Sequence, residues 1–320
     1  MLFRQPKYAG PERRKNPRWR PKPLRVLLTL LVIAAIGYGG VVIWLMTQET
    51  RLVFQAGATL APSRPPFPFE QIDIPHHDGT QQFAWIMEQP GSGTWVLFLH
   101  GNAATIASRV NIARYAGLRK MGVNVMAPEY RGFAGLDGVP TESSLTADAR
   151  SAYSYLTARR GVAPARIVVY GWSLGSAVAV NLAAKVDEAA VVLEGAPASL
   201  VDIGSEQYPF FPIRLIMRNP FDSIQRVDEI HAPMLFLHSP EDTIIPIAEG
   251  RRLYDAARTE KTFVEVRGGH VNSADEDPER FFGAIRTFLA RHSLIVGVRP
   301  GSDGGQTGVR PGSDHGRTED

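Results

Sequence analysis

Short, continuously apolar runs that alternate with amphipathic stretches constrain the fold of this chain most strongly. Eight runs rich in β-branched residues are predicted to be strands: 71–74, 83–88, 95–100, 123–127, 167–170, 189–193, 234–238 and 262–266. Five amphipathic stretches are predicted to be helices: 105–120, 141–160, 176–186, 247–257 and 278–291. The first two strands are too close together for a helix to separate them, so we expect an antiparallel start. The later alternation predicts the α/β class, with a mostly parallel twisted sheet and helices on both faces.

A second constraint is the apolar run at residues 26–46, which contains 21 residues and no charge. At a rise of roughly 1.5 Å per residue it makes a helix about 30 Å long, which matches the hydrocarbon core of a bilayer. A buried core helix is usually shorter, and a cleavable signal peptide has a shorter apolar run that ends at a small-residue site. We therefore predict a single N-terminal transmembrane helix, residues 26–47, that stays attached as an anchor and has the bilayer as its partner.

The formal net charge of +3 hides an uneven distribution. Residues 1–25 hold nine Lys or Arg and a single acid, Glu12, which leaves the remaining residues with a net charge of −5. The basic side of a membrane helix usually stays in the cytoplasm, so residues 1–25 are predicted to be a basic cytoplasmic tail. The rest of the chain then lies across the membrane, on the periplasmic face of a bacterial inner membrane. Because the body is acidic, we expect no nucleic acid among the partners.

Beyond the anchor we predict one catalytic domain, residues 51–293, and a disordered repeat tail, residues 294–320. The tail contains two near-identical copies, 297–307 and 308–318, without the apolar periodicity that a core requires. The chain has no cysteine, which excludes disulfides, thiolate catalysis and cysteine-bound zinc. We predict no cofactor and no metal.

The sequence Gly171-Trp172-Ser173-Leu174-Gly175 follows a predicted strand and opens a predicted helix. In that setting the G-x-S-x-G pattern is typical of a nucleophile elbow, a sharp turn that projects the serine hydroxyl above the sheet. The glycines allow the neighbouring strand and helix to approach closely, and the helix N-terminus stabilises negative charge. We therefore predict Ser173 as the nucleophile. The alternative is a serine that caps an ordinary helix.

A serine hydroxyl needs a base, and the base needs a carboxylate that orients it. His270 lies in a glycine-rich loop after the strand at 262–266 and before the last helix, which makes it the predicted base. Asp242 follows the strand at 234–238 and is the predicted acid. The chain order Ser, Asp, His is typical of α/β-hydrolases. The rival carboxylates are Glu241, Asp275, Asp277 and Glu194.

The loop His100-Gly101-Asn102-Ala103 follows another predicted strand and leads into a helix. Two backbone N–H groups are predicted to bind the oxyanion of a tetrahedral intermediate, one from Leu174 and one from Asn102. His100 is interpreted as a residue that supports this loop and not as a second base. The alternative is an ordinary strand–helix connection.

Residues 51–290 resemble the compact, membrane-anchored α/β-hydrolase domain proteins. The resemblance lies in Arg51 to Gln55, Phe98 to Ala103, Tyr130 to Phe133, Tyr170 to Ser176, 242–246 and 269–272. That family includes lysophospholipid and monoacylglycerol lipases, protein depalmitoylases and serine aminopeptidase-like hydrolases. The resemblance implies the α/β-hydrolase fold and a Ser-Asp-His triad, and it says little about the substrate. One departure is Ser239-Pro240-Glu241, where relatives often have Gly and a small residue before the acid.

Together, the residues and the resemblance predict a membrane-anchored serine hydrolase that cleaves acyl esters or thioesters through an acyl-enzyme. Because an anchor holds the enzyme at a bilayer, the predicted substrate is a small-molecule or lipid acyl compound. Apolar residues at 208–213 and 215–217 either border an acyl-binding groove or close the core. Two other functions stay open: a serine peptidase that removes N-terminal residues, and a non-catalytic membrane scaffold on a hydrolase fold.

Overall fold

The computed structural model describes residues 22–56, 62–76 and 79–296. Most of the predicted basic tail and the two repeats at 297–318 lie outside these residues. The chain divides into two compact units, Met1–Gln48 and Glu49–Asp320. The sequence-based domain boundaries stay predictions.

Helix α1 spans Pro23–Phe54 and crosses the point in the chain where the two units divide. Of the helices that the structure describes, it is the one long and apolar enough to cross a membrane, and its most apolar stretch is not buried. That exposure argues against a core helix, and a signal sequence remains the alternative. The helix begins before the predicted 26–47 because Pro23 suits a first helical turn, and it ends later because Glu49 and Phe54 are buried.

One sheet organises the second unit. Its strands are β1 Glu70–Pro75, β2 Gln81–Met87, β3 Trp95–Leu99, β4 Asn124–Pro128, β5 Ile167–Trp172, β6 Ala190–Glu194, β7 Met234–His238 and β8 Lys261–Glu265. They lie in the order β1-β2-β4-β3-β5-β6-β7-β8. β2 is antiparallel to both of its neighbours, and all other pairs are parallel. The predicted class and the antiparallel start are therefore confirmed.

Helices connect the parallel strands and follow the last of them. They are α2 Arg109–Arg119, α3 Glu142–Ser154, α4 Leu174–Ala183, α5 Leu200–Gln207, α6 Ile213–Ile216, α7 Ile247–Ala256, α8 Ser273–Glu276 and α9 Pro278–Arg291. Three of these, α5, α6 and α8, are shorter than the predicted helices and were not predicted.

Three of the predicted helices have clearly different bounds in the structure. The helix expected from residue 105 begins at Arg109, because Thr105 to Ser108 form a turn in which the Ser108 Oγ accepts the N–H of Thr105 at 2.9 Å. The helix expected from residue 176 begins at Leu174, directly after Ser173. The stretch 141–160 is α-helical only as far as Ser154 and then forms a π-helical turn, Tyr155–Arg159.

The central strands are buried along their full length, because helices cover both faces of the sheet. In β3 the side chains alternate between two apolar clusters, with Leu97 and Leu99 in one and Val96 and Phe98 in the other. Because β3 and β5 to β8 are mutually parallel, their carboxyl ends lie at one edge of the sheet. The loops at this edge carry Gly101, Ser173, Asp242 and His270.

Candidate active site

Ser173 occupies a sharp turn between β5 and α4. Its backbone has φ 55° and ψ −124°, a conformation that L side chains rarely adopt, and its N–H donates to the carbonyl oxygen of Glu194 at 2.8 Å. A Cβ atom on Gly171 would lie 2.4 Å from the Gly175 carbonyl oxygen, and one on Gly175 would lie 2.0 Å from that of Leu99. Both positions therefore require glycine, so that β3, β5 and α4 can pack closely around the turn.

Ser173, His270 and Asp242 form one hydrogen-bonded chain. The Nε2 atom of His270 lies 2.7 Å from the Oγ of Ser173, and the Nδ1 atom lies 2.6 Å from the Oδ2 of Asp242. With Asp242 ionised, Nδ1–H donates to the carboxylate and Nε2 is left to accept the serine proton. The three side chains come from the loops after β5, β8 and β7, so the parallel sheet brings together residues that are distant in sequence.

Asp242 is held in its ionised form. Its second oxygen, Oδ1, accepts the backbone N–H groups of Ile244 and Ile245 at 2.9 and 2.8 Å. Burial by itself would raise the pKa of the Asp242 carboxyl, but His270 and these two N–H groups more than offset burial and hold the pKa below its usual value. Nearby His238 donates to the Ile245 carbonyl oxygen at 2.9 Å, and burial lowers its pKa.

The rival carboxylates lie elsewhere. Glu241 is exposed, and only its backbone N–H is bonded, to the Ser239 Oγ at 3.0 Å. Asp275 is on α8, and the Asp277 side chain caps α9 by accepting the N–H of Arg280. In this structure the carboxylate that contacts His270 is that of Asp242.

The loop that follows β3 lies against Ser173. A Cβ atom on Gly101 would come within 3.0 Å of the Ser173 Cβ, so glycine allows this approach. Among the described residues the backbone N–H groups of Asn102 and Leu174 have no hydrogen-bond partner in the protein. Both groups are therefore available to a bound oxygen atom.

His100 is buried inside this loop. Its Nδ1 lies 2.8 Å from the carbonyl oxygen of Gly101, and its Nε2 lies 2.8 Å from Glu129 Oε1. The ring also packs on Tyr130 and Phe133, with centroids 4.4 and 5.4 Å away. Because both ring nitrogens are occupied, His100 fixes the loop and has no nitrogen left for a substrate.

A buried ion pair beneath the His270 loop was not found from the sequence. The guanidinium of Arg114 donates to both oxygens of Glu194, at 2.9 and 2.5 Å, and stacks on the Trp172 ring. Burial alone would raise the pKa of Glu194, but Arg114 lowers it overall. The side chain of Ser273 donates to the same carboxylate at 2.8 Å, which ties the loop after His270 to this pair. An arginine on the buried face of α2 is the sequence signal that indicates such a partner.

The apolar residues at 208–213 and 215–217, between β6 and β7, do not close the core. Residues 208–217 include no buried residue, and 85% of the Phe210 side chain and 86% of the Leu215 side chain are exposed. The other interpretation, that these apolar residues border a groove for an acyl chain, stays a prediction. Within the part of the chain that the structure describes, no group of three or more acidic or histidine side chains is arranged to hold a metal ion.

Comparisons with known proteins identify the family. A profile described as "Alpha/beta hydrolase family" matches residues 96–226. The uncharacterized protein Rv2307c of Mycobacterium tuberculosis is 34% identical over 273 residues, which cover 84% of this chain and 96% of that protein. The chain belongs to the alpha/beta hydrolase family. The predicted resemblance and fold are thereby confirmed.

Other alpha/beta hydrolases extend the comparison. The lysophosphatidylserine lipase ABHD12 of Danio rerio is 31% identical over 186 residues, which cover 52% of this chain and 48% of that protein. Among solved structures, an esterase of Pyrococcus furiosus superposes with a TM-score of 0.63 at 19% identity, covering 73% of this chain and 96% of that chain. The structural likeness shows the shared fold, and the curated relatives support hydrolase activity.

Proposed function

We propose that this alpha/beta hydrolase is a membrane-anchored serine hydrolase that cleaves acyl esters or thioesters through an acyl-enzyme. The observation that carries the proposal is the chain of two hydrogen bonds, 2.7 and 2.6 Å long, from Ser173 through His270 to Asp242. A serine hydroxyl becomes nucleophilic when an oriented imidazole accepts its proton, and this arrangement supplies both the base and the group that orients it.

In the proposed first step, the Ser173 Oγ attacks the substrate carbonyl carbon while its proton moves to the His270 Nε2. Asp242 keeps the ring oriented and stabilises the imidazolium that forms. The backbone N–H groups of Asn102 and Leu174 donate to the developing oxyanion. The intermediate then collapses, and His270 returns the proton to the leaving alcohol or thiol, which departs and leaves the acyl group on Ser173.

The second step reverses these roles. A water molecule loses its proton to the His270 Nε2 and attacks the acyl carbonyl, and the same two N–H groups hold the new oxyanion. Collapse releases the carboxylic acid and returns the proton to Ser173. Buried His100 supports the loop that supplies one of the donors and takes no proton from the substrate.

Three observations favour a lipid acyl substrate. The apolar helix α1 would hold the enzyme at a bilayer, with residues 1–25 in the cytoplasm and the catalytic domain on the opposite face. A relative with 31% identity is named a lysophosphatidylserine lipase. The exposed apolar side chains of Phe210 and Leu215 are available to contact an acyl chain.

The test is labelling of the detergent-solubilised full chain by a fluorophosphonate probe, followed by turnover of p-nitrophenyl esters, acyl thioesters and aminoacyl anilides. We expect labelling and ester or thioester turnover for the wild type, and neither for Ser173→Ala. Ser143→Ala, an exposed serine on α3, is the matched control and should match the wild type. Faster turnover of the anilides would favour the peptidase, and a wild type that neither labels nor turns over would favour the scaffold.

A further inference from the structure

We propose that the end of helix α1, through Val53 and Phe54, is a positioning element for the loop that supplies the oxyanion donor Asn102. The inference rests on the proposed function and adds to it, because it makes turnover depend on the end of the helix that also carries the apolar segment. Glu49 to Phe54 belong to the same compact unit as the candidate active site.

Two hydrogen bonds join the helix end to the loop. The side-chain amide of Asn102 donates to the Val53 carbonyl oxygen at 3.1 Å. The backbone N–H of Ala103 donates to the Phe54 carbonyl oxygen at 3.2 Å. The last carbonyl groups of a helix have no partner within the helix, so the loop satisfies them. Ala103 reaches this position with a φ of 51°, in the left-handed region that is unusual for alanine.

The helix end is itself held in place. Phe54 is fully buried, and its ring packs edge-on against Phe221 with centroids 6.0 Å apart. Glu49, only 7% exposed, accepts the backbone N–H groups of Arg218 and Asn219, each at 2.8 Å. Because Glu49 and Phe54 bracket the last turn, the two carbonyl acceptors have a fixed position relative to the catalytic domain.

These contacts affect one proposed oxyanion donor, the backbone N–H of Asn102. The N–H of Asn102 lies between the Gly101 position, which contacts Ser173, and the N–H of Ala103, which is bonded to the helix. Fixing both neighbours fixes the direction of the Asn102 N–H. Since an oxyanion donor acts mainly on the transition state, loss of this support should lower kcat and leave KM nearly unchanged.

The experiment uses the detergent-solubilised full chain and measures kcat and KM for a p-nitrophenyl ester together with the Tm. Phe54→Ala should lower kcat at least tenfold with KM within about twofold of the wild type, and Phe54→Leu should restore most of the loss. Leu52→Ala, on the same turn with 47% of the side chain exposed, should keep the wild-type kcat.

A second variant covers the case in which Phe54→Ala fails to fold. Asn102→Ala keeps the backbone N–H and removes only the bond to Val53, so we expect the same loss in kcat with a Tm close to that of the wild type. Wild-type kcat in Asn102→Ala, or in folded Phe54→Ala, overturns the inference and leaves the proposed function intact. A wild type without turnover overturns both.

Discussion

The guanidinium of Arg114 and the carboxylate of Glu194 form a bidentate ion pair beneath the His270 loop, and each side chain is almost fully buried. The pair joins α2 to the end of β6, and it contacts the backbone of Val271 and the side chain of Ser273, which both follow His270. Removing one member leaves the other as an unpaired buried charge, which is far more costly than loss of the attraction alone.

We therefore expect Arg114→Met to lower the free energy of unfolding by about 3–5 kcal/mol. The matched control is Glu88→Gln, which breaks the exposed pair with Arg160 and should cost less than about 1 kcal/mol. Urea unfolding followed by circular dichroism measures both. A loss in Arg114→Met no larger than that in the control would contradict a structural role for the buried pair.

Replacing Asp242 by Asn should abolish most turnover while the protein stays folded. The amide donates where the carboxylate accepted, which stabilises the wrong tautomer of His270, so kcat should fall about 10⁴-fold. Glu241→Gln changes the neighbouring carboxylate, which is exposed, and should leave kcat unchanged. Steady-state kinetics on one ester separate the two. A wild-type kcat in Asp242→Asn together with a large loss of kcat in Glu241→Gln would make Glu241 the acid.

Gly175 and Gly283 both lie in helices, and together they test how closely the backbone packs at the turn that carries Ser173. A Cβ on Gly175 would lie 2.0 Å from the Leu99 carbonyl oxygen, whereas one on Gly283 in α9 meets nothing within 4 Å. Gly175→Ala should therefore destabilise the protein by about 3 kcal/mol or more, because a backbone oxygen cannot rotate away. Gly283→Ala should stabilise it by about 0.5–1 kcal/mol through better helix propensity. Thermal unfolding checks both signs, and equal Tm values would rule out the close approach at the elbow.

Glu188 makes stability depend on pH. Burial, with a smaller contribution from Asp187, raises the pKa of its carboxyl to about 8. Between the pKa of Glu188 in the unfolded chain and pH 8, this carboxyl is ionised in the unfolded chain and protonated in the folded chain. The free energy of unfolding therefore falls as the pH rises through this range. Glu188→Gln should raise the Tm at pH 8 by about 3 °C or more and change it little at pH 4.5. Exposed Glu206→Gln is the control, and a pH-independent difference would refute the assignment.

The absence of cysteine allows a clean test of membrane topology. Single cysteines at Gln5 and at Val139, which is 64% exposed, are treated with a membrane-impermeant maleimide in intact cells whose outer membrane has been permeabilised. We expect labelling at position 139 and, at position 5, labelling only after lysis. The opposite pattern would place the catalytic domain in the cytoplasm, and loss of residues 1–25 from the mature chain would indicate a signal peptide.

Much of the sheet could be predicted because its strands are buried on both faces. Such strands are apolar at nearly every position, as in 95–99 and 234–238, and their ends mark where polar side chains can gather. The elbow at Ser173 carries a local pattern, so its position follows from the sequence as well. The catalytic roles of Ser173, Asp242 and His270 stay predictions until the variants are measured.

What could not be predicted depends on contacts between distant parts of the chain. Arg114 and Glu194 are separated by 80 residues, and Val53 and Asn102 by 49, so no local pattern links them. The short helices α6 and α8 have four residues each, which is too short for a helical periodicity to be visible. The start of α4 was misplaced because the positive φ of Ser173 lets the helix begin immediately after the turn.

The positive φ of Ser173 also lowers the stability of the fold at the position where the proposed chemistry requires a serine. Holding a non-glycine residue at φ 55° costs on the order of 1–3 kcal/mol, and glycine would relieve that strain. Ser173→Gly should therefore be more stable than the wild type and inactive. A chain selected for folding alone would have glycine at this turn. The serine found there is therefore kept for a reason other than the stability of the fold.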